Sequence, residues 1–148
     1  MFKISAILCP IDFSDTSRKA VRYTHEFAVR MNASIVLLNV IDIPIESLVN
    51  NIQLDEELEQ SVRQELEALK NEWLAEGLTV ESLVEIGNPA DVILEQAEKR
   101  DVNLIIMGSH GKKGMSRLIL GSVAEAVLRK AGCPVLIVKS VETEFIEE

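Results

Sequence analysis

Cysteine is nearly absent from this chain: Cys9 and Cys133 are the two thiols among 148 residues. Two cysteines in different predicted strands cannot build a disulfide scaffold, so reduced thiols in a cytoplasmic protein are the simpler reading. Histidine is equally scarce, His25 and His110 alone, and none of these residues shows metal-ligand spacing. Basic charge is short too: 15 Lys and Arg stand against 24 Asp and Glu, for a net charge of −9. That balance excludes a general nucleic-acid binder, which needs a basic face for the phosphate backbone. No apolar run reaches the ~20 residues of a membrane span. The apolar residues after Lys3 meet Asp12 without a small-residue cleavage site. Cys9 follows Leu8 rather than the small residue expected before a lipidated cysteine. A cytoplasmic location with no membrane contact is the expectation.

What is present is apolar: 47% of the residues, in a chain of 148. That composition and length predict one globular domain, residues 1–148, with a core of its own. No repeat or low-complexity segment interrupts it.

The apolar residues fall into two periods. Short runs read as strands: Ile4 to Cys9, Ser34 to Val40, Leu78 to Ile86, Val102 to Met107 and Pro134 to Val138. Ser34 to Val40 is almost continuously apolar, as a strand covered on both faces would be. Leu78 to Ile86 alternates, with Leu83 out of phase, and reads as a strand near a sheet edge.

Between the strands the period is helical. Ser14 or Asp15 caps a helix carrying Ala20, Val21, Tyr23, Thr24, Phe27, Ala28 and Met31, and Asn32 ends it. Leu54, Leu58, Val62, Leu66, Leu69 and Trp73 step by three or four through Leu54 to Glu76, which Gly77 closes. Asn88 and Pro89 start a helix that turns Val92, Ile93 and Ala97 inward. Ser116 to Lys130 is predicted helical. Residues 42–53 read as a loop that packs back on its own domain or covers a site or a partner surface, and the acidic tail 142–148 as frayed. Strands alternating with helices predict an α/β fold: a parallel sheet with helices on both faces.

The stretch that carries chemistry begins at Met107. Gly108, Gly111 and Gly114 fall within seven residues, and Gly121-Ser122 follows. Residues 102–124 hold Lys112, Lys113 and Arg117 but no Asp or Glu. An acid-free, glycine-rich strand-to-helix junction in an acidic chain points to a phosphate site, where backbone N–H groups hold an anion. The bland alternative is a loop with solvated lysines. The Walker spacing G-x-x-x-x-G-K-[ST] is absent.

Gly108-x-x-Gly111, nine residues, then Gly121-Ser122 resembles the G-2x-G-9x-G-[ST] signature of the ATP-binding branch of the universal stress proteins. The likeness spans nearly the whole chain, from Ile7-Leu8-Cys9-Pro10-Ile11-Asp12-Phe13-Ser14 to Cys133-Pro134-Val135-Leu136-Ile137-Val138. It implies a five-stranded parallel open sheet of strand order 3-2-1-4-5, Rossmann-like and similar to the adenine nucleotide alpha hydrolases. In that order Asp12, after strand 1, and Gly108, after strand 4, meet where the sheet switches direction.

The resemblance further implies that Gly108, Gly111, Gly121 and Ser122 contact phosphate and ribose, with the backbone around Ser109, His110 and Val123. Asp12 matches the acidic residue near base and ribose; otherwise it is a turn residue. Pro10, Ile11 and Val40 would line the base, and Met107 touches the adenine or simply packs. The implied ligand is ATP, with ADP or AMP as alternatives, and Asp12 and Asp15 are candidates for an accompanying Mg²⁺. A homodimer pairing the last strands, Val135 to Val138, and a regulatory protein partner are also implied. His25 reads as structural.

No catalytic set emerges. There is no nucleophile elbow and no triad. The implied function is a nucleotide-dependent regulatory protein with slow or no ATP hydrolysis. The alternative is an ATPase or adenylate-transferring enzyme of related fold, although S-G-G-x-D-S is missing after strand 1. A phosphoacceptor receiver domain would want an aspartate ending strand 3, where Glu85-Ile86-Gly87 stands.

Overall fold

The computed structural model describes residues 3–43, 46, 56–110 and 120–140. Five strands and four helices alternate there: β1 (Ala6–Pro10), α1 (Asp15–Met31), β2 (Ser34–Ile41), α2 (Glu56–Ala75), β3 (Val80–Ile86), α3 (Pro89–Lys99), β4 (Leu104–Gly108), α4 (Ser122–Lys130) and β5 (Val135–Val138). The strands form one sheet in the order β3-β2-β1-β4-β5. Every pair is parallel. The order 3-2-1-4-5 that the family resemblance implied is the order observed.

Side chains alternate across the central strands, and each face has its own layer of helices. Ile7, Cys9, Ile35, Leu37, Leu104 and Ile106 pack with Ala20 and Ala28 of α1 and Leu66 and Trp73 of α2. Leu8, Val36, Leu38, Ile105 and Met107 pack with Ile93 and Ala97 of α3 and Ala124 and Val127 of α4. Burial on both faces explains why these strands read as continuous apolar runs. It also explains the phase of Leu83: Leu83 packs in the α3–α4 layer and its neighbour Val84 in the α1–α2 layer.

The helix ends follow local chemistry. Ser14 accepts from the Ser17 amide at 3.3 Å and caps α1, which ends at Asn32 in the left-handed region, φ 53°. Gly77 takes φ 92° after α2, a conformation that favours glycine. The Asn88 side chain accepts from the Asp91 amide at 3.1 Å, with Pro89 in the first turn of α3.

Three expectations change. Leu58, expected on the buried stripe of α2, is 51% exposed, whereas Leu66 and Trp73 are buried. This turn lies near the start of the helix, ahead of its buried positions Leu66 and Trp73. The last helix, expected from Ser116, starts at Ser122 among the described residues: Leu120 is not helical and Gly121 is the N-cap. Gly121-Ser122 therefore opens a helix rather than lying inside one. Strands β1, β3 and β4 each start two residues later than expected, at Ala6, Val80 and Leu104, and β4 runs on to Gly108. The loop 42–53, apart from Asp42, Ile43 and Glu46, lies outside the described residues, as do Leu54 and the tail 142–148.

Candidate functional site

The sheet reverses its direction of winding between β1 and β4. At the C-terminal ends of β2, β1 and β4 lies a cavity of about 360 Å³. Its lining includes Pro10, Ile11, Asp12, Val40, Met107, Gly108, Ser109, His110, Gly121, Ser122 and Val123. These are all the site residues named from sequence except Gly111, which lies outside the described residues along with Lys112, Lys113, Gly114 and Arg117. Residues nearly a hundred positions apart converge because β1 and β4 are neighbours, with Ile7 opposite Leu104 and Leu8 opposite Ile105.

The two halves of the glycine stretch are tied by backbone. The Gly121 amide donates to the Ser109 carbonyl at 2.7 Å, and the Ser109 amide donates to the Val138 carbonyl at 2.9 Å. The glycines serve this packing directly. A Cβ on Gly108 would stand 2.5 Å from Thr16 Oγ1 and 2.8 Å from the Thr16 carbonyl carbon. A Cβ on Gly121 would stand 3.0 Å from the Ser109 carbonyl oxygen. Gly108 thus lets the first turn of α1 close on β4, a reason that the sequence alone does not display.

The same turn of α1 grips the loop a second time, since Thr16 Oγ1 donates to the His110 carbonyl at 2.7 Å. The His110 ring is held in turn: its Nδ1 lies 2.8 Å from Ser109 Oγ, and Ser109 is only 2% exposed.

α4 meets the cavity with its N-terminus. Gly121, the N-cap, offers no side-chain cap, and the first internal bond runs from the Glu125 amide to the Gly121 carbonyl at 2.9 Å. The amides of Ser122, Val123 and Ala124 precede that bond, and all three residues line the cavity. Such an end carries about half a positive charge and takes anions. The remaining lining has an apolar wall from Leu38, Val40, Ile93 and Met107, polar Ser17, Ser109 and His110, and two carboxylates, Asp12 and Asp42. No Lys or Arg belongs to the described lining.

Some contributors escaped sequence reasoning. Ser17, Leu38, Asp42, Pro89, Ile93 and Ala124 also line the cavity. Asn39, 7% exposed, donates from Nδ2 to the Ile11 carbonyl at 2.7 Å and fixes the turn ahead of Asp12. Its signal was one polar residue inside an apolar strand. Asp15 is exposed at the start of α1 and does not line the cavity, so it does not share that site with Asp12. Among the described residues no group of three His, Cys, Asp or Glu could hold a metal ion.

The other titratable candidates lie elsewhere. His25 pairs with Glu76, and its ring sits 5.2 Å from that of Trp73, joining α1 to the end of α2. Burial pushes the Cys9 thiol up to about 12, and Cys133 is also raised by burial. Neither thiol lines the cavity.

An open parallel α/β sheet with its cavity beyond the strand ends at the switch point is the architecture of the doubly wound, ligand-binding folds. The sequence profile of the universal stress protein family matches residues 3–139, and the chain belongs to that family. Universal stress protein MJ0531 of Methanocaldococcus jannaschii is 35% identical over 145 residues, 93% of this chain and 84% of the relative. The solved structure of MJ0577 from the same organism superposes with a TM-score of 0.81 at 33% identity, covering 96% of this chain and all of that one. A universal stress protein from Archaeoglobus fulgidus in complex with dAMP has a TM-score of 0.66 at 22% identity, over 94% of this chain and 100% of that one. At that identity the likeness concerns the fold. No helix among the described residues is long and apolar enough to cross a membrane.

Proposed function

We propose that this chain binds an adenine nucleotide, ATP foremost, at the end of β1 and β4, and works as a nucleotide-dependent regulator with slow or no hydrolysis. The observation that carries this is the uncapped N-terminus of α4 opening into a cavity with a large apolar wall and the Asp12 carboxylate in its lining. The cavity volume of about 360 Å³ falls within the usual range for small-molecule sites. Apolar walls suit a base, the amides of Ser122 and Val123 suit phosphate, and the Asp12 carboxylate suits ribose hydroxyls. Gly111 completes the phosphate loop in this proposal. Support comes also from the dAMP complex of the Archaeoglobus fulgidus relative. ADP and AMP would use the same walls, and Mg²⁺ would arrive with the phosphates.

The regulatory part rests on the sequence, which carries no nucleophile elbow and no triad. Residues 1–148 act as one cytoplasmic unit, whose nucleotide state a partner protein reads. β5 lies at the end of the sheet with Val135, Leu136 and Ile137 partly exposed. An apolar strand edge calls for a cover, and a second copy pairing there as a homodimer supplies one.

One observation favours the enzymatic alternative: a histidine oriented by Ser109 at the cavity wall. Turnover above about one per second, the low end for typical enzymes, would favour an ATPase or adenylate-transferring enzyme. Denaturing the purified protein and identifying any released nucleotide by chromatography and mass tests the proposal. Stoichiometric ATP supports it, and ADP or AMP shifts weight toward turnover. A protein that is empty and also fails to bind added ATP overturns it.

A further inference from the structure

The turn between β1 and α1 is built around Asp12. The Asp12 amide donates to Ser17 Oγ at 3.1 Å, and the Ser17 amide donates to Ser14 Oγ at 3.3 Å. Ser14 Oγ donates to Asp12 Oδ1, which also accepts from the Ser14 amide at 2.9 Å. The bonds close a ring from the Asp12 backbone through two serines to the Asp12 carboxylate. Inside the ring sits Phe13 at φ 64°, a left-handed conformation that a bulky residue rarely takes. Such backbone persists where the surroundings over-determine it, and it clusters at ligand sites. Here the surroundings are the ring itself, the Arg18 guanidinium 5.9 Å from the Phe13 ring centre, and Phe13 packed on the α1–α2 core layer.

The ring engages one carboxylate oxygen and not the other. Oδ1 is used twice by Ser14, and Oδ2 takes no hydrogen bond among the described residues. Asp12 and Ser17 line the cavity. A free carboxylate rotates; one pinned at Oδ1 presents Oδ2 in a single direction.

We infer that Ser14 is a positioning residue for sugar recognition: by holding Oδ1 it aims Asp12 Oδ2 at a vicinal diol, so that the site selects ribose over sugars lacking those hydroxyls. This rests on the proposal that the cavity takes a nucleotide. It goes beyond that proposal in assigning sugar selectivity to a hydroxyl that does not line the cavity. Ser14 also caps α1, so a purely structural role is the competing explanation, and the variants must separate the two. Glycine serves almost as well as serine at an N-cap, so Ser14→Gly removes the hydroxyl and largely keeps the cap. Ser14→Thr keeps both.

The test is calorimetric titration of nucleotide-free full-length protein with ATP and with 2′,3′-dideoxy-ATP. A hydrogen bond to a charged group is strong enough that the parent should prefer ATP by about tenfold or more. Asp12→Ala should abolish that preference. Ser14→Gly should bring the ratio toward one by weakening ATP while leaving the dideoxy compound unchanged, and Ser14→Thr should keep the parent ratio. Equal weakening of both ligands in Ser14→Gly, or an unaltered ratio, overturns the positioning role while the nucleotide site stands. A parent that binds neither compound overturns the nucleotide proposal and the sugar role with it.

Discussion

The amide of Gly121 lies 2.7 Å from the carbonyl oxygen of Ser109, and this bond joins the two ends of the glycine stretch. It sets where α4 begins and therefore where the uncapped helix end meets the cavity. A Cβ on Gly121 would press on the same oxygen at 3.0 Å. Gly121→Val should therefore lower both nucleotide affinity, by tenfold or more on the order of a displaced phosphate contact, and stability, by about 1–3 kcal/mol as for overpacking. Gly132→Ala is the control, since nothing lies within 4 Å of a Cβ there. It should stay within about 0.5 kcal/mol of the parent in urea unfolding. Equal stability of the two variants would contradict the packing role of Gly121.

Leu58 and Leu66 share the helical spacing of α2 but not its environment: 51% against 1% exposed. Leu66→Ala should cost about 2–5 kcal/mol through lost burial and a residual cavity. Leu58→Ala should change stability by less than about 0.5 kcal/mol. Paired urea melts decide it, and a large loss at Leu58 would place that residue in a buried contact.

Much of the sheet was legible because burial on both faces leaves unbroken apolar runs, as in Ile35 to Leu38. Strand order was not: parallel strands carry no mark of their neighbours, and the order came through family resemblance. Gly121-Ser122 was visible as a motif, but the helix start was not, since the amphipathic pattern runs through it. Gly108 was legible as a glycine that permits close approach, yet the approaching group is Thr16 of α1, 92 residues upstream. The Ser14–Ser17 ring was hidden for a different, local reason. A serine after a turn announces a cap, while its second bond, to Asp12, depends on the positive φ of Phe13.

Burial sets the two thiols apart. Cys9 is fully buried, with its pKa pushed up to about 12, so its thiol stays protonated and unreactive at pH 8. Cys133 is partly exposed, and its thiol is raised by burial as well. An Ellman titration at pH 8 should show Cys133 reacting slowly and Cys9 only on unfolding. Rapid labelling of both in the native protein would contradict the burial of β1.

The pair Glu81–Arg100 ties β3 to the end of α3, with Arg100 Nη2 2.7 Å from Glu81 Oε1. The hydrogen bond from Arg100, aided by its charge, holds the Glu81 carboxyl below the ordinary carboxylate range. The depressed group favours the folded state above its unfolded pKa, and that contribution is lost as pH falls through the folded pKa. Glu81→Gln should cost under about 1 kcal/mol at pH 7, as for a half-exposed pair. The deficit should vanish as acid titrates the parent. A deficit independent of pH would show that the residue acts through packing.

The most direct test of the nucleotide site is a ¹H–¹⁵N spectrum of the stripped protein titrated with ATP. The amides of Ser122, Val123 and Ala124 should shift most, saturably and to one stoichiometric end point, together with Asp12 and Ser109, while Val84 in β3 stays in place. Absent shifts at saturating ATP, or shifts centred away from the start of α4, would contradict binding in this cavity.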